Sequence, residues 1–187
     1  MNESSRASVA GVCPANICDL RAGRIAKVVG VIGSVRHLLL SPVTRTPCVY
    51  YRVEVTRDME ADGTIRMWAR RAAKHTGAIQ IVDETGVVMV DLKGSVILPS
   101  RRVTSAAHGA DQLTFDNLWP IRALMSWSRP KHTQGRCVGI RWREEILVPG
   151  DRVTAYGRVQ HQPEGAGTLP VLSAENTIVL VTDDPRA

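Results

Sequence analysis

Apolar side chains recur at every second residue along most of this chain, which is the spacing of half-buried β-strands. From Lys27 onward, Val28, Val29, Val31 and Ile32 form a β-branched run interrupted by Gly30 and closed by Gly33-Ser34. A loop with two prolines, Ser41 to Pro47, leads into the clearest alternation. There Val49, Tyr51, Val53 and Val55 interleave with Tyr50, Arg52, Glu54 and Thr56, giving one apolar and one wet face. Asp58 to Gly63 reads as a polar turn, and Ile65 to Ala73 as the returning strand, with Trp68 in it. Ile79 and Ile81 lead into Asp83-Glu84-Thr85-Gly86, with Val88 and Val90 beyond. Asp suits the first position of a type I turn and Gly86 the re-entry, so a hairpin is predicted. Val87, Met89 and Val90 imply burial on both faces of the second strand of that hairpin. A short strand at Ser95 to Leu98 stops at Pro99.

Between Pro99 and Cys137 the alternation ceases, and the segment reads as an insertion. Within it Asn117 suits a helix N-cap, Pro120 is tolerated in a first turn, and Leu118, Ile121, Leu124 and Met125 share one helical face. Arg129-Pro130 ends that helix. Strand character returns at Val138, Ile140 and Trp142, alternating with Arg141 and Arg143. Pro149-Gly150-Asp151 is a tight turn, and Val153, Ala155 and Val159 line the next strand, with Gly157 as a bulge or bend. A loop at Gln162 to Thr168 precedes the last strand, Thr177 to Thr182.

The predicted fold is therefore all-β: a small β-barrel of about eight strands with one inserted helix. Closing the sheet removes the edges that promote association. Gly30 and Gly157 suit barrel corners. Residues 1–22 read as an N-terminal tail, 23–182 as the barrel domain with the insertion at 99–137, and 183–187 as a C-terminal tail.

Composition adds limits. The chain has 187 residues, with 44% hydrophobic and 22% charged, which excludes wholesale disorder. Lys and Arg number 24 against 18 acids, a net charge of +6, so anionic partners deserve a test. No signal-like or membrane-spanning apolar run occurs, and the expected compartment is the cytoplasm. Cys13, Cys18, Cys48 and Cys137 form no C-x-x-C pair, and the five histidines are scattered. No metal site, no cofactor and no catalytic group is therefore expected.

Three blocks carry a family resemblance. The first is Leu40-Ser41-Pro42 with Pro47-Cys48-Val49-Tyr50-Tyr51. The second runs from Val82 through Asp83, Thr85 and Gly86 to Asp91. The third is Glu144-Glu145-Ile146-Leu147-Val148-Pro149-Gly150-Asp151, with Tyr156-Gly157-Arg158-Val159 after it. In order and spacing they resemble the GIDE domain, also called BAM ("beside a membrane"), of MULAN-type ubiquitin ligases and their prokaryotic relatives. The resemblance covers about Gly23 to Thr182 apart from the insertion. It implies an OB-like barrel near a membrane that contacts other proteins. Pro42, Cys48, Tyr50, Tyr51, Asp83, Thr85, Gly86, Glu145, Gly150, Asp151 and Gly157 then carry structural roles. The ligases also have transmembrane helices and a RING. Neither is found in this sequence, so ligase activity does not carry over.

Two acidic motifs invite a catalytic reading. Asp83 as a base has no orienting partner nearby in sequence, and a turn role is the plainer explanation. In a strand, Glu144 and Glu145 point to opposite faces, which suits a structural role with Glu144 hydrogen-bonded in the barrel mouth. No G-x-S-x-G, P-loop or G-x-G-x-x-G occurs, so an unspecified hydrolase-like enzyme ranks last. Basic residues cluster in two acid-free stretches. One holds Arg66, Arg70, Arg71 and Lys74; the other holds Arg122, Arg129, Lys131, Arg136, Arg141 and Arg143. With Trp68, Trp119, Trp127 and Trp142 they suit single-stranded nucleic acid if they share a face. The helical segment around Trp119 and Trp127 also suits peripheral contact with an anionic bilayer. The first expectation is a non-catalytic module binding a protein partner through Arg70, Arg71, Trp119, Arg122, Trp127, Arg129, Lys131, Arg141 and Arg143. The alternative is a nucleic-acid-binding barrel.

Overall fold

The computed structural model describes residues 12–99, 102–108, 136–160, 169–173 and 180–182. A 3-10 turn at Ile17–Asp19 comes first, followed by β1 (Ile25–Ile32), β2 (Leu39–Leu40), β3 (Pro47–Cys48), β4 (Tyr50–Ala61) and β5 (Thr64–His75). Next are β6 (Ala78–Asp83), β7 (Gly86–Asp91), β8 (Val96–Leu98) and β9 (Arg102–His108). The last four are β10 (Arg136–Leu147), β11 (Arg152–Gln160), β12 (Val171–Ser173) and β13 (Leu180–Thr182).

A closed barrel forms from the strands whose two-residue spacing is most apolar. Its ring runs β1-β6-β7-β12-β11 and closes where β11 pairs with β1. Every pair in the ring is antiparallel except β7 with β12, which is parallel. β8 and β13 pair in parallel and extend the wall along β11. The ring thus has five strands, not about eight. Periodicity reveals that a strand has one dry face but not which sheet it joins. The strongest alternation, in β4, belongs to a second, four-stranded antiparallel sheet ordered β5-β4-β10-β9.

The barrel interior is filled by Val28, Ile32, Ile79, Ile81, Val88, Val90, Leu92, Val153, Ala155 and Leu172, each at most 2% exposed. Gly30 is required where β1 leaves β11 for β6: a Cβ there would lie 2.5 Å from the Val82 carbonyl oxygen. The register continues through Gly157 without a bulge. That residue instead sits between the stretch of β11 paired with β13 and the stretch paired with β12. β7 is dry on one face only, with Val88 and Val90 buried and Val87 and Met89 half-buried. The barrel wall covers its inner side alone.

Residues 12–22 do not trail away. Ile17 is buried in the barrel core, and the Ala15 amide bonds the Lys27 carbonyl. The expected turn from Asp58 to Gly63 narrows to Asp62-Gly63, because β4 stays paired with β5 to the Ala61–Thr64 pair. Both turn residues have positive φ (52° and 70°), the signature of a type I′ hairpin turn. Inside the supposed insertion, β9 is a strand hydrogen-bonded to β10. Its sequence, Arg-Val-Thr-Ser-Ala-Ala-His, has too few apolar residues to show alternation. The helix expected around Asn117 to Pro130 lies outside the described residues. Among those described, no helix is long and apolar enough to cross a membrane.

Candidate functional site

The four-stranded sheet carries most of the charged residues singled out above, and its register sorts them by face. Opposite residues in an antiparallel pair share a face. Tyr51, Val53 and Val55 of β4 therefore lie with Trp142, Glu144 and Ile146 of β10. Val53, Val55 and Ile140 form a small buried cluster with Val43, Tyr51 and Trp142 against it. The other face holds Arg52, Glu54, Thr56 and Asp58 of β4, Arg141, Arg143 and Glu145 of β10, and Arg71 and Met67 of β5.

On that second face, cations and carboxylates alternate across the strands. Glu145 is 1% exposed and is gripped by the guanidinium groups of both Arg52 and Arg143, each more than a third exposed. Arg71 reaches Glu54 at 3.0 Å, and Arg141 reaches Asp58 at 2.9 Å. Arg52, Glu54, Arg71, Arg143 and Glu145 line a cleft. Burying a carboxylate this deeply is costly unless charges or hydrogen-bond donors face it, and the two guanidinium groups that do so link β4 to β10 through Glu145. The face ends in exposed Ile65 and Met67 at the hairpin tip, 66% and 67% exposed, with the Met67 sulfur 3.3 Å from Arg141.

Glu144 points the opposite way, as strand alternation requires. Buried completely, it accepts hydrogen bonds from the Val43 amide (3.0 Å), the Thr44 amide (3.0 Å), the Ser41 hydroxyl (3.2 Å) and the Thr44 hydroxyl. One carboxylate thus fixes the loop between β2 and β3, including Pro42. Beside it, burial pushes the Cys48 thiol up to about 11, with the Glu144 charge adding to the effect. That thiol stays protonated and inert. Burial also raises the hydroxyls of Tyr50 and Tyr51. Tyr50 is buried although it faces the polar side, because the base of β4 enters the barrel core.

The hairpin between β6 and β7 is built around Asp83. Its carboxylate accepts from the Thr85 amide (2.6 Å), the Thr85 hydroxyl (2.7 Å), the Gly86 amide (2.9 Å) and the Ile17 amide (3.1 Å). Burial alone would raise Asp83; these bonds outweigh it and hold the carboxyl below its usual range. Gly150 and Asp151 make the turn from β10 to β11, with Asp151 accepting from the Val148 amide at 2.9 Å.

Of the expected partner-binding residues, Arg71, Arg141 and Arg143 share one face. Arg70, opposite Val55, is on the other. Trp119, Arg122, Trp127, Arg129 and Lys131 lie outside the described residues. Trp142 packs on the small cluster. Sequence reasoning passed over Arg52, Glu54 and Asp58, which complete the ion pairs, and Ser41 and Thr44, which hold Glu144. Opposite charges on alternating positions of β4 and β10 were the available signal, but only the register pairs them. Among the described residues, no group of three or more His, Cys, Asp or Glu is placed to hold a metal ion. No family model matches the chain, and the search of curated proteins returns no match.

Proposed function

We propose that this chain is a non-catalytic interaction module, a GIDE/BAM-like barrel that presents its four-stranded sheet to a protein partner. One observation carries the reading. The β4–β5 hairpin, twelve residues in each strand, ends in the exposed apolar pair Ile65 and Met67. Exposed apolar groups rimmed by charge are the usual makings of a protein contact. The buried carboxylates favour scaffolding over chemistry: Glu144 is committed to loop donors and Glu145 to two guanidinium groups.

In chain order the barrel ring reads first, second, third, fifth, fourth strand, with the parallel contact between third and fifth. That order supports the OB-like reading, and with it the alternative of a nucleic-acid-binding barrel. The paired arginines count against that alternative, since Arg71, Arg141 and Arg143 each meet a carboxylate within the sheet.

The test is photo-crosslinking in native cells from Met67, with Ile25 on the barrel as control. A discrete protein adduct from position 67 alone supports the module. Adducts to RNA or DNA, weakening steeply with salt, favour the alternative. Equal labelling from both positions overturns the assignment.

A further inference from the structure

The outer edge of β5 is a long edge with no strand partner among the described residues: β5 is twelve residues long and terminates its sheet. Such an edge offers a row of backbone donors and acceptors to any extended chain. Its side chains also select among candidates. Arg66, Arg70 and Lys74 lie opposite Met59, Val55 and Tyr51, so all three occupy one face at four-residue intervals. They make no ion pair with the described residues, and the acid-free stretch from Gly63 to Val82 brings no counter-charge. The other face of the same strand carries Ile65, Met67, Ala69 and Ala73, together with Arg71, whose charge is already met by Glu54. A second copy of β5 laid against this edge would bring cation to cation, which disfavours self-association. The same charges attract an acidic strand.

Resting on the docking role proposed above, we infer that the partner segment is an extended acidic peptide that adds to β5 as a fifth strand. Its Asp and Glu side chains alternate with apolar ones, carboxylates beside Arg66, Arg70 and Lys74 and apolar groups beside Ile65 and Met67. Backbone pairing supplies the affinity and the two faces of the peptide supply the specificity.

The probe is a fluorescein-labelled peptide of five Glu-Val repeats, titrated against the full chain and followed by anisotropy. The expected result is saturable binding, weakened about tenfold in the Arg66→Ser/Arg70→Ser/Lys74→Ser variant. The Arg21→Ser/Arg24→Ser/Arg152→Ser variant, which removes equal charge from the barrel, binds as the parent does. New hydrogen-exchange protection of β5 amides accompanies binding. A Glu-Pro repeat carries the same charge with half the amide donors gone. If it binds equally well, the attraction is only electrostatic and strand addition is overturned. Equal weakening by both triple variants overturns it too. A Met67 protein adduct in cells, together with no peptide binding, would leave the docking role standing and refute the acidic strand.

Discussion

The barrel and the four-stranded sheet are made of the same secondary structure and are held together by different forces. In the barrel, residues at most 2% exposed converge from five strands on one interior. In the sheet, Val53, Val55 and Ile140 are the buried members of a much smaller cluster, and the opposite face relies on ion pairs. Apolar burial scales with the area removed from water, whereas half-exposed ion pairs contribute little each. The barrel therefore supplies most of the apolar stabilisation, and the sheet keeps one face of half-exposed charged side chains. The two regions meet where Val49, Tyr50 and Leu147 enter the barrel core and the Val49 amide bonds the Leu147 carbonyl at 2.9 Å.

The largest expected effect separates the two regions directly. Ile81→Ala, at the centre of the barrel, should lower unfolding free energy by about 4 kcal/mol, against about 2 kcal/mol for Val55→Ala in the sheet. Urea denaturation followed by intrinsic fluorescence measures both. Equal losses would mean that the sheet has a core of comparable weight. Next comes Glu144→Gln, which keeps the shape but turns an amide nitrogen toward donors that need an acceptor. About 2 kcal/mol should be lost, and the effect should be local. Trypsin should cut after exposed Arg45 faster than in the parent, while hydrogen exchange in the barrel stays slow. Unchanged cleavage would show that the carboxylate does not secure the loop.

The smallest effect depends on pH. Asp83 is held below its ordinary value of 3.8, so its stabilisation is fully present above that pH and is lost as pH falls through the lower folded value. Asp83→Asn should cost about 1 kcal/mol at neutral pH and flatten that part of the acid limb in urea midpoints taken from pH 2 to 5. An acid limb identical to the parent's would remove Asp83 from the account.

Several local features could be read from the chain because their causes are local. Asp83, Thr85 and Gly86 satisfy one another within three residues, so the hairpin was visible without its surroundings. Glu144 and Glu145 were assigned to opposite faces on strand geometry alone, and their partners lie on opposite faces. Partner choice was hidden. Ser41 meets Glu144 across 103 positions, and the Ile17 amide meets Asp83 across 66. No spacing rule reaches that far. β9 was missed because an alanine- and serine-rich strand has no apolar rhythm.

The order of residues alone settled the β character, the tight turns and the side to which each alternating side chain points, since all three depend on neighbours along the backbone. Only the folded arrangement decided that five strands close into a ring while four others leave it. It also placed Arg52 and Arg143 on one carboxylate, because pairing between distant strands follows from which surfaces can be buried together.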